Sequence, residues 1–124
     1  MSINICIKWH KGSVNGILQD SPSTRALIKA LPHTAKAKTW GDEVYFDIPI
    51  DVQMEADAQQ VVPPGTIGFW LEGGALALPF GPTPISKRDE CRLASEVNLL
   101  GQLEDNPKLL SSIRAGDEIT VELI

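Results

Sequence analysis

The chain has 124 residues, 43% of them hydrophobic, enough for one domain with a single core and no need of metal or disulfide staples. Its formal charge of -5 and pI near 4.9 argue against a nucleic-acid partner, since phosphate binding draws on clustered Lys and Arg and the eleven basic residues here are scattered. Cys6 and Cys91 are too few and too far apart to read as a disulfide framework, which makes a cytoplasmic location the expectation.

The N-terminus alternates instead of running apolar, so it reads as neither a signal peptide nor a membrane span. Ile3, Ile5, Ile7 and Trp9 share one face of a predicted strand, with Asn4, Cys6, Lys8 and His10 on the other. After a turn at Lys11-Gly12-Ser13, Val14 to Leu18 returns antiparallel, with Gly16 marking a bend or bulge. Asp20-Ser21-Pro22 supplies a cap and a first-turn proline for a helix over about 22–31, which Pro32 ends. His33 to Trp40 and Glu43 to Ile48 read as paired strands about Gly41-Asp42, with Val44, Phe46 and Ile48 inward and Glu43, Tyr45 and Asp47 outward.

Pro49 to Gln60 is polar and acidic and is expected to cross the surface as a loop. Thr66 to Leu71 and Ala75 to Phe80 form a hairpin about Glu72-Gly73-Gly74, and the chain leaves it through Gly81-Pro82-Thr83-Pro84. Ile85 to Glu96 reads as a second long polar connection, and either long loop could act as a lid. Val97 to Glu104 is a strand containing Gly101, Asn106-Pro107 opens a short helical turn over about 107–113, and the last strand turns Ile119, Val121 and Leu123 inward. Eight short strands with two brief helices predict a mainly β, closed eight-stranded antiparallel barrel as a single domain over 1–124.

Three strings carry a family resemblance: Trp40-Gly41-Asp42-Glu43-Val44-Tyr45-Phe46, Pro64-Gly65-Thr66-Ile67-Gly68-Phe69-Trp70 and Phe80-Gly81-Pro82-Thr83-Pro84. With the order of elements they resemble the cyclophilin fold over nearly the whole chain, and more closely a small prokaryotic cyclophilin-like family, the TM1367-like group, which has no assigned activity. Cyclophilins isomerise Xaa-Pro bonds with an arginine, a glutamine and an apolar proline pocket. By resemblance, Ala77-Leu78-Pro79-Phe80 matches the strand ending in the pocket phenylalanine, so Phe80 would keep that role. Val97-Asn98-Leu99-Leu100-Gly101 resembles the later run that opens with the pocket histidine, but Val97 stands in that histidine's place. The Phe-His-Arg and Gln-Gly-Gly strings are absent, and Thr34 to Trp40 offers Lys36 and Lys38 but no arginine.

The expected function is therefore binding of a small molecule or an extended peptide in a cleft beside the 63–84 hairpin. The pocket would draw on Phe46, Trp70, Phe80, Thr83 and Asn98. Phe46 alternates inward and could equally fill the barrel, Thr83 could merely satisfy a turn, and Trp70 falls out of phase with Ile67, Phe69 and Leu71. A divergent prolyl isomerase, with Phe80 in the pocket and a lysine replacing the arginine, is the first alternative. A non-catalytic assembly module, working as a homo-oligomer, is the second. His10 and His33 have no ligand-spaced neighbours, so no metal site is expected, nor any cofactor. Arg88 and Arg92 flank Cys91 in the charged loop and could lower its pKa as in a redox sensor, although an incidental surface thiol is the commoner case.

Overall fold

The computed structural model describes residues 3–124; Met1 and Ser2, which opened the N-terminal alternation, lie outside the described residues. All ten strands belong to one sheet: β1 (Ile3–Trp9), β2 (Gly12–Leu18), β3 (His33–Lys36), β4 (Lys38–Thr39), β5 (Glu43–Asp47), β6 (Gln59–Val62), β7 (Thr66–Trp70), β8 (Ala75–Pro79), β9 (Cys91–Leu103) and β10 (Glu118–Leu123). The order around the barrel is β3-β10-β1-β2-β9-β7-β8-β5-β4, with β6 off this path and paired to β9. Every pairing is antiparallel.

The barrel thus has nine strands where eight were expected, and one seam is not sealed by a ladder. The physical reason sits at Ala37. Its N–H donates to Asp117 O and its carbonyl accepts from Gly116 N–H, both at 2.8 Å, which breaks the stretch from His33 to Trp40 in two. β3 pairs with β10 and β4 with β5, so the chain itself crosses from one edge of the sheet to the other.

The interior fills as alternation dictates, with Ile5, Ile7, Val14, Leu18, Val44, Phe46, Ile67, Phe69, Leu76, Leu78, Leu100, Ile119 and Val121 in one cluster. α1 (Pro22–Ala30) contributes Leu27 to this core, and the 3-10 helix (Pro107–Ser112) contributes Leu110. Ser21 caps α1 by accepting from Thr24 N–H at 3.1 Å, and Asn106 caps the 3-10 turn by accepting from Lys108 N–H at 3.0 Å. Among the described residues no helix is long and apolar enough to cross a membrane.

The two polar connections are not wholly loops. Gln59–Val62 forms β6, and β9 begins at Cys91, six residues before the expected Val97. Charge density in Lys87, Arg88, Asp89 and Glu90 masked this start, because the apolar signal in Cys91 and Leu93 is only two residues deep. From Val97 onward β9 pairs with β7 and then β2; before it, β9 pairs with β6. The first half of β9 and β6 therefore leave the barrel wall as a two-stranded flap.

Candidate functional site

β8 identifies the covered part of the wall. All five residues of Ala75–Pro79 are buried, which a strand lining only the interior would not show. Leu76 and Leu78 face inward, and Ala77 faces outward into a second cluster with Val62, Cys91, Leu93 and Val97, packed by Trp70 and Leu99. The flap thus lies over the outer face of β5, β8 and β7. Cross-strand register places Tyr45 beside Ala77 beside Gly68, and Ala75 beside Trp70 beside Val97. Gly68 permits the approach: a Cβ there would lie 2.7 Å from Val97 Cγ2.

Between flap and wall lies a cavity of about 190 Å³ lined by Trp40, Glu43, Tyr45, Trp70, Leu93, Ala94 and Val97. Trp70 is held on several sides. Its indole Nε1 donates to Ser95 Oγ at 2.7 Å, and its ring meets Tyr45 edge to face, with centroids 6.0 Å apart and planes at 86°. Gly73 at the hairpin tip leaves room for it, since a Cβ there would fall 2.2 Å from Trp70 Cε3. Lys38 Nζ sits 5.9 Å from the Tyr45 ring centroid and 3.3 Å from Asp47 Oδ1.

Glu43 is the unusual member of the lining. The residue is only 5% exposed, and among the described residues no hydrogen bond or ion pair reaches its carboxyl group, whose oxygens are not fully buried and keep a little solvent contact. Burial pushes its pKa from 4.5 up to about 7. A carboxyl so displaced, opening on a cavity, is the kind of group that marks functional sites. Cys91 lies close enough to feel it: burial first, then the Asp42 and Glu43 charges, raise the thiol's pKa. This is opposite to activation by Arg88 and Arg92, and burial also corrects the reading of Cys91 as an incidental surface thiol. The residue is 1% exposed at the start of β9, and Arg92 Nε turns instead to Glu90 Oε1 at 2.7 Å.

A family model described as Cyclophilin-like matches residues 1–122. The chain belongs to the cyclophilin-like family. It is similar to the hypothetical protein AF2241 from Archaeoglobus fulgidus, whose solution structure superposes with a TM-score of 0.83 at 32% identity, covering 99% of this chain and 95% of that one. No curated protein matches the chain.

This cyclophilin-like barrel disperses the five residues expected to form its pocket. Of these, Trp70 lines the cavity. Phe46 is fully buried in the barrel core, and Phe80 is half-buried and packs against the same core. Thr83 is buried in the turn after β8, where its hydroxyl donates to Arg92 O and its N–H donates to Ser86 Oγ at 2.9 Å. Asn98 is 0% exposed and clamps three segments: it accepts from Glu55 N–H at 2.8 Å and donates to Gln53 O at 2.8 Å and Ser23 Oγ at 2.9 Å. Ser23 in turn donates to Glu55 from both its N–H and its hydroxyl. This network fastens α1 and the 49–58 segment to β9 on the face opposite Val97.

Sequence reasoning missed Trp40, Glu43, Tyr45, Leu93, Ala94 and Val97. The available signal was Ala75–Pro79: a strand apolar on both faces implies that something covers its outer side, and hence that the outward Glu43 and Tyr45 on the neighbouring β5 are not simply solvated.

Proposed function

We propose that this cyclophilin-like domain binds a small ligand in the cavity between the flap and the outer wall of the barrel. The observation that carries the reading is the combination of three aromatic residues, Trp40, Tyr45 and Trp70, with the largely buried Glu43, whose carboxyl group has no partner among the described residues, around a single cavity. Apolar walls with few fixed polar groups are what small-molecule sites are built from. At about 190 Å³ the space suits a head group or fragment more than an extended peptide. Of the two larger grooves, the one of about 480 Å³ beside Lys8, His10 and Asp117 is walled largely by polar side chains, and the one of about 590 Å³ between α1 and residues 51–55, though apolar at Pro22, Ala26, Val52 and Met54, is an open surface trough with no aromatic wall.

Prolyl isomerisation draws less support. Such a catalyst holds proline in an apolar slot while a charged donor disfavours amide resonance. Neither Phe80 nor Lys38 lines the cavity, and Lys38 is already paired with Asp47.

The test is a fragment screen read by tryptophan emission in a Trp9→Phe background. Trp9 is anchored elsewhere by its Nε1 donation to Ser112 Oγ at 2.9 Å, so the remaining signal comes from Trp40 and Trp70. Ala94 is exposed at the cavity rim, so Ala94→Phe would fill the space without disturbing the core. Fragments that shift the emission and lose at least about tenfold in affinity with Ala94→Phe support the reading. Fragments that bind Ala94→Phe equally well, or a screen without hits, refute it.

A further inference from the structure

The lining of the cavity restricts what it can hold. Among the described residues Glu43 has no partner on its carboxyl group, whose oxygens are not fully buried, and the residue lines the cavity. A buried carboxylate without a counter-charge is costly, and an occupant carrying positive charge removes that cost. The remaining lining points the same way. Aromatic faces are electronegative and attract cations, best when the cation is desolvated. Tyr45 already has the Lys38 ammonium 5.9 Å from its ring centroid. The lining contains no Lys, Arg or His and therefore offers an anion no counter-charge. Leu93, Ala94 and Val97 complete the wall with methyl groups that suit N-alkyl substituents and not a hydrated ammonium. A net charge of -5 favours approach of a cation.

We propose that the cavity receives a small alkylammonium head group, with Glu43 as its counter-charge and Trp40, Tyr45 and Trp70 as its cation-binding walls. This rests on the ligand-pocket reading above and goes further by assigning the ligand's chemical class. Binding is then linked to the proton on Glu43, which must leave for the ion pair to form. The other titratable or charged groups about Glu43 are Asp42 beside it in the turn, Tyr45 on the same strand, the Cys91 thiol on β9 followed by Arg92, which is paired with Glu90, and Lys38 on β4, which is paired with Asp47. With Glu43 titrating near 7, an always-charged ligand binds about tenfold more weakly at pH 6 than at pH 8.

The experiment is isothermal titration calorimetry with choline and its neutral isostere 3,3-dimethylbutan-1-ol, at pH 6 and pH 8, on the native protein and on Glu43→Gln. The expected result is choline binding to the native protein with the stated pH dependence, loss of at least about tenfold in choline affinity with Glu43→Gln, and unchanged affinity for the alcohol. Equal binding of choline and the alcohol, insensitive to Glu43→Gln, overturns the cation assignment and leaves the pocket reading standing. Binding of neither probe overturns the alkylammonium assignment, and the fragment screen with Ala94→Phe then decides the pocket reading separately.

Discussion

Replacing Glu43 with Gln is expected to stabilise the fold at alkaline pH, because the native chain carries a carboxyl group where a charge is poorly tolerated. In the unfolded chain Glu43 ionises near 4.5; in the folded chain it holds its proton up to about 7. Below 4.5 both states are protonated and the carboxyl is stabilised in neither relative to the other. Between 4.5 and 7 the folded state binds more protons, so stability falls as pH rises; above 7 the loss is complete. A shift of this size corresponds to a cost of about 3 kcal/mol at pH 8 and under about 1 kcal/mol at pH 5. Glutamine keeps the shape and removes the charge, so the stability difference between Glu43→Gln and the native protein should grow by about 2–3 kcal/mol from pH 5 to pH 8. Urea denaturation of both proteins at the two pH values measures it, and the other titrating groups, such as Asp20 and Glu90 with pKa values lowered by Arg25 and Arg92, cancel in the difference. Parallel pH profiles, with a constant offset between the proteins, would refute the argument that Glu43 is buried without a partner.

Asn98→Ala removes the clamp between β9, α1 and the 49–58 segment and leaves buried partners unpaired; a loss of about 2–4 kcal/mol is expected in denaturant melts, with faster hydrogen exchange at Glu55 N–H. Phe46→Ala should cost about 3–5 kcal/mol as a core truncation, whereas a role in the cavity would make the change cheap and its effect specific to binding. Ser95→Ala deletes the acceptor for the Trp70 indole and should cost about 1 kcal/mol, with a chemical-shift change at that indole N–H that marks loss of the bond. Trp70→Ala is expected to abolish fragment binding while Phe80→Ala preserves it; the reverse pattern would return the site to the hairpin exit.

Much of the barrel was legible because its signals are local. The alternation from Ile3 to Trp9, the cap at Ser21 before Pro22, and the glycines between Leu71 and Ala75 each act within a few residues, and β1, α1 and the β7–β8 hairpin fall where they indicate. Two of the three strings that suggested the family touch. Asp42 N–H donates to Pro82 O at 2.9 Å and Phe80 N–H to Asp42 O at 2.8 Å, so Trp40-Gly41-Asp42 and Phe80-Gly81-Pro82 are two turns packed on one another. Their distinctiveness is structural: they led to the fold, and Phe80 and Thr83 within them take part in core packing and turn hydrogen bonds.

The candidate site was harder to read because it depends on a layer with weak local signals. β6 is four residues long, and its pairing with β9 is interrupted by a register shift between Gln59 and Val61. The flap's apolar residues, Val62, Cys91, Leu93 and Val97, are separated by polar ones, so the segment resembles a solvated loop until the outer face of β8 is considered. Once covered, Glu43 passes from an ordinary outward-facing acid to a buried one, a change governed by residues about fifty positions away and invisible to any window along the chain.

The most direct test of the ligand pocket is a crystal structure of the protein soaked with a compound bearing a trimethylammonium head. The account predicts density for the head group between Trp40, Tyr45 and Trp70 with the cationic nitrogen against the Glu43 carboxylate. A cavity holding only water, or the compound bound in one of the two open grooves, would contradict it.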